Sequence, residues 1–472
     1  MIRLLHAYFP ARTLVLGVSE ACLVSLAFTA ATFTRLGTGA AALTLNGHHG
    51  SLKILFMSLS VITCMCYFDL YDSSILVNRR EVLIRLIQVV GTIYSLLVLL
   101  YYLYPPLELG RGISVIGLLF VVMLLFFWRR LFSKINSVPE FADRALILGD
   151  GPLAEILELE IESRPELGLR VVGCISATGN ENRHVGCERI QSFGDPLATD
   201  TVADLTRTVK RLRANRIVVA MGDRRGKLPV DVLLSLKCRG LRVQDGVEVY
   251  EAITGKVPIE SVRLGWLLFS VGCHASRLHL AYKRAASVLI SIVGLILSLP
   301  VLPFVILAIK LTSPGPILYR QRRVGRDGVA FNCYKFRTMR ADAEADVGPT
   351  WALDDDPRIT SGGRFLRLSR LDEIPQLWNV LRGDMSLVGP RPERPEFVEA
   401  LTREVPHYNL RHTIRPGITG WAQIRYKYGS SVEDAREKLC YDLFYIKNMS
   451  LGLDLLVFLQ TIKVILWTTG AK

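Results

Sequence analysis

Four apolar stretches, each as long as a membrane-crossing helix, limit what this chain can fold into. They cover residues 14–33, 54–70, 82–104 and 113–132, and a helix needs about 20 apolar residues to cross the hydrocarbon core of a bilayer. Basic residues precede the first stretch, occupy the second connector and follow the fourth. Because basic flanks tend to stay in the cytosol, this pattern predicts a four-helix transmembrane bundle with both ends on the cytosolic side.

The composition agrees with a membrane protein that also has soluble parts. Half of the 472 residues are hydrophobic and the mean hydropathy is +0.32, and the length allows two or three folding units. The formal charge of +14 favours anionic lipid, phosphate-bearing ligands or nucleic acid as partners. The nine cysteines show no metal-ligand spacing outside an apolar stretch, so we interpret them as reduced and structural.

An acidic residue, Glu20, lies inside the first apolar stretch. Such a carboxylate either makes a hydrogen bond in the bundle interior or takes part in transport. No second acidic residue lies at a similar depth, so the interior hydrogen bond is the favoured interpretation.

The segment 144–255 alternates strand-like and helix-like patterns and predicts a Rossmann-like domain with a parallel sheet. Strands are expected within 144–151, 169–175, 216–223 and 241–253, and helices within 152–163 and 228–240. The glycine-containing turn at 149–151 could bring the backbone close to a phosphate. The second strand does not end in an acid that could hold a ribose, so a plain tight turn is favoured over dinucleotide binding.

A fifth apolar stretch, 287–311, contains Pro300 and Pro303. Proline removes a backbone donor and bends a helix. Both flanks are basic, and basic flanks prefer the same side of the membrane. We therefore expect a re-entrant, proline-broken helix pair; the alternative is a fifth span, which would place everything after Lys310 outside the cell.

Residues 315–340 carry seven basic residues and a single acid, Asp327. Guanidinium groups bind phosphate oxygens through paired hydrogen bonds, so this segment predicts a phosphate-binding surface. Part of it could instead face lipid head groups. Nucleic acid is disfavoured because few aromatic residues are interleaved with the basic ones.

Two adjacent carboxylates, Asp372 and Glu373, lie among arginines further along the chain. Proline is best placed in a first helical turn, so Pro375 predicts a helix that begins near Asp372. One carboxylate could attack phosphorus while the other holds Mg²⁺. The alternative is a surface capping box formed by Ser369 and Asp372. The basic side chains that could neutralise the pair are Arg364, Arg367 and Arg391.

Residues 280–472 contain four long motifs, "YRQRRVGRDGVAFNCYKFRTM", "RLDEIPQLWNVLRGDMSLVGPRP", "RPGITGWAQIRYKYG" and "YDLFYIKNMSLGLDLLVFLQTIKVI". Through these motifs the segment resembles the bacterial polyprenyl-phosphate glycosyl-1-phosphate transferases. The chain is most similar to the large monotopic phosphoglycosyl transferases of exopolysaccharide or O-antigen assembly that are associated with exosortase gene clusters. It departs at Ser287, where the family usually has an aspartate, so the anchoring of the re-entrant helix is in question.

The resemblance implies transfer of a sugar 1-phosphate from a UDP-sugar to undecaprenyl phosphate at the cytosolic face of the bacterial inner membrane. It implies a ping-pong reaction in which Asp372 attacks the sugar-linked phosphate, expels UMP and becomes a phosphoryl-aspartate. Asp372 and Glu373 would hold Mg²⁺. The residues expected to bind phosphate or substrate are Arg320, Lys335, Arg337, Arg367, Pro390, Arg391 and Pro392.

The predicted fold is a membrane protein of mixed α and α/β class. It has a four-helix transmembrane bundle (1–140), a Rossmann-like domain (141–255), a linker (256–280) and a monotopic catalytic domain (281–472) that ends in an interfacial amphipathic helix. Expected partners are a UDP-sugar, undecaprenyl phosphate and membrane lipids, with a homodimer as a further expectation and no nucleic acid. The alternative function is a non-catalytic scaffold for glycan assembly; a transporter is disfavoured because no inverted repeat is visible.

Overall fold

The computed structural model describes residues 2–4, 7–9, 11–47, 50–68, 70–71, 79–108, 110–136, 142–149, 151–164, 168–175, 189–190, 199–222, 228–261, 276–340, 343, 356–426, 429 and 431–467. Residue 150 of the glycine-containing turn and residues 262–275 of the expected linker lie outside this set. The chain divides into two compact units, one of residues 1–2 and 8–253 and the other of residues 3–7 and 254–472.

Four long apolar helices begin the first unit. The helices are α1 (Ala11–Asn46), α2 (Gly50–Tyr67), α3 (Arg79–Leu103) and α4 (Arg111–Asn136). Each contains a segment long and apolar enough to cross a membrane, and their buried side chains form one shared core. A Cβ on Gly117 would lie 2.4 Å from the Phe28 ring, so glycine is required where α4 approaches α1. Helix α1 is longer than predicted and is interrupted at Gly37, whose φ is 75°.

Glu20 makes the interior hydrogen bonds that the sequence favoured. Its two carboxylate oxygens accept hydrogen bonds from Nε and Nη2 of Arg129 at 2.6 and 3.0 Å. The third donor of the guanidinium reaches the carbonyl of Leu70 at 2.6 Å. Both charged side chains are buried, and a buried pair with its hydrogen bonds satisfied avoids most of the desolvation penalty of an isolated charge. Glu20 therefore joins α1 to α4.

A five-stranded parallel sheet completes the first unit. Its strands are β3 (Asp143–Leu148), β4 (Leu169–Ile175), β5 (Arg189–Ile190), β6 (Arg216–Val219) and β7 (Arg242–Asp245), in the order β5-β4-β3-β6-β7; the terminal strands β1 (Ile2–Leu4) and β2 (Ala7–Phe9) pair separately. The helices between and after these strands are α5 (Pro152–Glu162), α6 (Thr199–Arg211), α7 (Val230–Cys238) and α8 (Gly246–Thr254).

The prediction of an extended chain at 241–253 is wrong after Asp245. The Asp245 carboxylate accepts a hydrogen bond from the Val247 amide at 2.9 Å, which is a typical start for a helix. The segment that looked like a strand exit is therefore helix α8.

The second unit begins with two apolar helices that are separated at Pro300. They are α9 (Arg277–Ser298) and α10 (Leu302–Thr312), and the intervening residues 299–301 form a turn. Pro303 lies in the first turn of α10, where its missing N–H costs nothing. The predicted break is confirmed, although α9 by itself is long and apolar enough to cross a membrane.

The remainder of the second unit carries the candidate site. Its elements are β8 (Leu318–Val324), β9 (Ala330–Phe336), α11 (Ser361–Leu368), α12 (Gln376–Arg382), β10 (Ser386–Val388), α13 (Pro395–Glu404), β11 (Gly417–Thr419), α14 (Trp421–Arg425), α15 (Val432–Asn448) and α16 (Leu451–Trp467). Strands β8 and β9 form an antiparallel hairpin, and β10 pairs with β11 in parallel. The principal core is built from α13, α15, α16 and strand β10. Helix α16 contributes Leu453 and Val457 to this core; its lipid contact stays a prediction.

Candidate active site

Asp372 and Glu373 lie on a 3₁₀ turn, Leu371–Glu373, that joins α11 to α12. Arg370 precedes the turn in a left-handed conformation with φ of 57°, which redirects the chain between the two helices. The prediction that a helix begins near Asp372 is wrong only for the regular α-helix: a 3₁₀ turn begins at Leu371, and α12 begins one turn later, at Gln376, with Pro375 as its N-cap.

The alternative interpretation of Asp372 as a capping-box residue is also wrong. The Ser369 hydroxyl donates to the carbonyls of Phe365 and Leu366 at 2.8 and 3.2 Å. It therefore closes the end of α11, and the turn that carries Asp372 has no side-chain cap. Asp372 is moreover buried, with 7% of its surface exposed.

Glu373 is surrounded by three cationic side chains. Its Oε1 lies 2.8 Å from Nη2 of Arg391, 3.4 Å from Nζ of Lys335 and 3.9 Å from Nη1 of Arg370. Burial alone would raise the pKa of Glu373, but the three cations outweigh it and hold the pKa well below its ordinary value. Glu373 is therefore an ionised carboxylate that fixes the cations around it.

The environment of Asp372 is different although it is the adjacent residue. Its Oδ1 is buried and has no hydrogen-bond partner among the described residues. Burial, followed by the negative charge of Glu373, raises the pKa of Asp372, against the opposing charges of Lys335 and Arg367. A carboxylate oxygen without a hydrogen-bond donor keeps its lone pairs free, which suits an attacking oxygen atom.

Lys335 reaches the site from the hairpin of β8 and β9. It pairs with Tyr319 across the strands, whereas Arg320 pairs with Tyr334. Successive side chains on a strand point to opposite faces, so Arg320 lies on the face opposite to Lys335. The structure thus brings Lys335 to Glu373 and leaves Arg320 exposed; a substrate-binding role for Arg320 stays a prediction.

The Pro390-Arg391-Pro392 segment is held by its backbone carbonyls. They accept hydrogen bonds from the Gly417 amide at 2.9 Å, from Arg411 at 3.0 Å and from Arg323 at 3.1 Å, in chain order. The prolines have no N–H to satisfy, and the Arg391 guanidinium donates to Glu373.

Arg411 is a residue of this region that sequence reasoning missed. It is buried, lies 2.9 Å from the buried carboxylate of Asp442 and donates to the hydroxyl of Tyr408. The only available signal was its position in the motif-rich stretch before "RPGITGW", which does not specify a contact to residue 391.

Arg337 and Arg367 were both predicted to bind phosphate or substrate. Arg337 donates to the carbonyls of Pro314 and Ser313 at 2.8 and 2.7 Å, and a Cβ on Gly315 would lie 2.2 Å from its Nη1. Its guanidinium thus fixes the exit of α10. Arg367 donates from Nε to the Thr338 hydroxyl at 3.0 Å, and its charge acts on Asp372. A role in phosphate binding stays a prediction for both.

The fit of Mg²⁺ can be judged from the carboxylates. No group of three or more His, Cys, Asp or Glu side chains among the described residues could hold a metal ion. Mg²⁺ usually takes one or two carboxylates together with substrate phosphates and water. The adjacent carboxylates of Asp372 and Glu373 fit that kind of site, provided that a phosphate supplies further oxygens.

Comparison with known proteins assigns this half of the chain to a described family. The sequence profile of the family described as "Bacterial sugar transferase" matches residues 278–468. The chain is 42% identical over 228 residues to a UDP-N-acetylgalactosamine-undecaprenyl-phosphate N-acetylgalactosaminephosphotransferase of Aeromonas hydrophila, which covers 48% of this chain and 52% of the relative.

Two further relatives differ in the share of their length that the match covers. An undecaprenyl-phosphate glucose phosphotransferase of Komagataeibacter xylinus is 31% identical over 399 residues, which is 77% of this chain and 70% of the relative. Exopolysaccharide production protein PSS of Rhizobium leguminosarum bv. phaseoli is 42% identical over 188 residues, which is 39% of this chain and 94% of the relative. The match spans only about half of the Aeromonas relative, at 52%.

Proposed function

Because this chain belongs to the bacterial sugar transferase family, we propose that it is a membrane enzyme that transfers a sugar 1-phosphate from a UDP-sugar to undecaprenyl phosphate. One relative is named as a UDP-N-acetylgalactosamine-undecaprenyl-phosphate N-acetylgalactosaminephosphotransferase, and another as an undecaprenyl-phosphate glucose phosphotransferase. The observation that carries the proposal is the buried Asp372, whose Oδ1 lacks a hydrogen-bond partner among the described residues. The adjacent Glu373 forms ion pairs with Arg391 and Lys335.

In the first half-reaction, Oδ1 of Asp372 forms a bond to the phosphorus that carries the sugar. The bond from this phosphorus to the bridging oxygen breaks, and its electron pair leaves with UMP. The product is a phosphoryl-aspartate, which splits one difficult transfer into two easier ones.

In the second half-reaction, a phosphate oxygen of undecaprenyl phosphate attacks the same phosphorus. The bond to Oδ1 breaks, Asp372 becomes a free carboxylate again, and undecaprenyl diphosphate-sugar leaves. In both steps Lys335, Arg367 and Arg391 supply positive charge near the transferred phosphoryl group, which lowers the cost of bringing anions together.

Asp372 and Glu373 would hold Mg²⁺, which, when bound, neutralises negative charge on the diphosphate. The residues of the chain orient the reacting groups. Glu373 fixes Lys335 and Arg391, and the backbone of the Pro390-Arg391-Pro392 segment keeps its place through Arg411 and Arg323.

We infer that α9 and α10 form a re-entrant pair. Arg284 near the start of α9 donates to the carbonyls of Val380 and Leu381 at the end of α12. Val305 and Ile309 of α10 pack with Leu366 of α11. Both arms of the broken helix therefore contact the same unit, as expected if the chain enters the membrane and returns. A lipid-linked acceptor would then meet the site at the cytosolic face of the inner membrane.

We propose that the first unit attaches the chain to the membrane. Helices α1 to α4 would form a four-helix transmembrane bundle, and the parallel sheet would be a Rossmann-like cytosolic domain beside it. The enzyme would catalyse the first step in the assembly of an exopolysaccharide or O-antigen-type glycan. We also propose that it forms a homodimer.

The experiment that tests the proposed function compares Asp372→Asn with the wild type. Purified protein is supplied with Mg²⁺, undecaprenyl phosphate and a panel of UDP-sugars, and UMP release is measured. We expect UMP release from the wild type and a loss of at least about a thousandfold in the variant, since an amide is a poor nucleophile.

Asp327→Asn is the matched control. Asp327 is 68% exposed in its side chain and has a left-handed φ of 56°, which asparagine tolerates. It should retain full activity. Normal turnover by Asp372→Asn, with membrane localisation intact, would refute the proposed chemistry.

A further inference from the structure

Gln376 is a buried amide without a hydrogen bond for its nitrogen. Only 3% of the residue is exposed, and its Nε2 has no partner among the described residues. A buried polar group that is left unpaired destabilises the fold, so each such group needs an explanation. The two N–H donors of this nitrogen have no acceptor within the part of the chain that the structure describes.

The donor without a partner follows an acceptor without a partner by about one turn of the backbone. The backbone is helical from Leu371 through Ile374 and Pro375 into α12, so Gln376 follows Glu373 by three residues and Asp372 by four. Residues at these spacings are neighbours on a helix surface. Oδ1 of Asp372 is the other buried atom in this turn that lacks a partner among the described residues.

Gln376 is held in this position by its own helix. Asn379, one turn further on, is fully buried; its Oδ1 accepts from the Tyr334 amide at 3.0 Å and its Nδ2 donates to the Asn332 carbonyl at 2.7 Å. These bonds dock α12 on β9, the strand that carries Lys335. The helix therefore cannot easily rotate to give Gln376 a partner within the protein.

We propose that the side-chain amide of Gln376 donates a hydrogen bond to a phosphoryl oxygen of the substrate during transfer to Asp372. The donor has no partner among the described residues, and we explain this by a partner that arrives with the ligand. Gln376 is then a substrate-contacting residue beside the nucleophile, in addition to the cationic side chains. This proposal rests on the proposed function for the identity of the substrate, but the contact to phosphoryl oxygens can be tested without turnover.

The decisive variant is Gln376→Met, which keeps the length of the side chain and removes both polar atoms. Removing a buried amide whose nitrogen lacks a partner among the described residues should leave the thermal midpoint unchanged or raise it by about 2–4 °C. Losing a hydrogen bond to a charged oxygen should lower kcat for UMP release by about 10- to 100-fold, with a smaller effect on KM. Gln376→Glu should lose more activity, because it places an acceptor against a phosphate.

Gln460→Met is the control, because it makes the same change on α16 at a partly exposed residue. It should behave as the wild type in activity. If Gln376→Met keeps full kcat, or if its thermal midpoint falls together with its activity as for a packing residue, the proposal is overturned.

A binding measurement separates this proposal from the proposed function. Pyrophosphate with Mg²⁺ should raise the thermal midpoint of the wild type and of Gln460→Met more than that of Gln376→Met. An equal shift for all three proteins contradicts the contact. A wild type that releases no UMP from any UDP-sugar, yet shows the difference with pyrophosphate, contradicts only the proposed function.

Discussion

At the residue scale, adjacent carboxylates have opposite electrostatic environments. Glu373 is surrounded by Lys335, Arg370 and Arg391, and its pKa is lowered despite burial. Asp372 is buried, one of its oxygens has no hydrogen-bond partner among the residues that the structure describes, and its pKa is raised. Two groups of the same chemistry whose pKa values are pushed apart are typical of a site with divided roles. Here Glu373 would fix the surrounding cationic side chains, and Asp372 would react with the substrate.

A second titratable group, His412, predicts how the fold responds to acid. Burial, and then the charge of Arg411, lowers the pKa of His412 from 6.5 to about 4. Between these values the unfolded chain binds a proton that the folded chain does not, so stability is fully present above pH 6.5 and falls as the pH falls towards 4. Between pH 7 and pH 4.5, the free energy of unfolding should fall by about 1–2 kcal/mol less in His412→Phe than in the wild type.

Thermal unfolding of the purified protein at the two pH values measures this effect. His407→Asn is the control, because His407 is exposed and its left-handed φ of 63° suits asparagine. It should keep the wild-type difference between pH 7 and pH 4.5. Equal pH responses of the wild type and His412→Phe would contradict the prediction.

At the scale of elements, α9 is anchored in a way that its sequence motif did not suggest. Lys283 lies 2.9 Å from Oδ2 of Asp454 on α16 and also donates to the hydroxyl of Tyr445 on α15. Ser287, where the family usually has an aspartate, lies 3.4 Å from the hydroxyl of Ser386. The carboxylate that pairs with the basic start of α9 thus comes from the C-terminal helix.

The ion pair between Lys283 and Asp454 predicts that substitutions of the two residues have non-additive effects on the free energy of unfolding. Its side chains are 11% and 14% exposed, and removing one partner of a buried pair leaves the other charge uncompensated. We expect Lys283→Met to destabilise the protein by about 2–3 kcal/mol, and the double variant Lys283→Met/Asp454→Leu to recover a large part of that loss.

Thermal unfolding of the two single variants and the double variant completes the cycle. Arg403→Met provides the comparison, because its pair with Glu399 is 75% and 71% exposed; breaking it should change stability by less than about 0.5 kcal/mol. Strictly additive effects of Lys283→Met and Asp454→Leu would show that the pair contributes no coupling.

At the scale of the whole molecule, the candidate site belongs to the second unit alone. The dyad, Lys335 and Arg391 all lie between residues 254 and 472, where that unit has its own core. A relative of which 94% is matched aligns over only 188 residues. The residues to which we assign this chemistry therefore all belong to the second unit.

This separation predicts that a chain starting at residue 254 keeps its activity. We expect it to remain bound to membranes through α9 and α10 and to release UMP within about tenfold of the full-length rate, because its catalytic residues and their supports are intact. Membrane fractionation and UMP release measure the two properties. The same fragment with Asp372→Asn is the inactive control. A stable, membrane-bound fragment without activity would show that the first unit is required.

Much of the organisation could be predicted from sequence because it depends on local patterns. The lengths of the four apolar stretches predicted the four long helices, and Pro300 and Pro303 predicted the break after Ser298. The acidic pair and its basic surroundings indicated the region of the candidate site. The end of β7 was missed because a short-range cap at Asp245 overrides the strand-like pattern that follows it.

The order of residues along the chain is enough to show which segments are apolar enough for a membrane and which residues carry the charges of the candidate site. What each charged or polar group contacts depends on how the elements pack. Packing places Arg320 on the face opposite to Lys335, directs Arg337 to the exit of α10, and leaves the amide nitrogen of Gln376 without a partner among the described residues. Hydrophobic patterns are read within a few residues along one chain segment. Hydrogen bonds between segments far apart in sequence form only when the elements have packed.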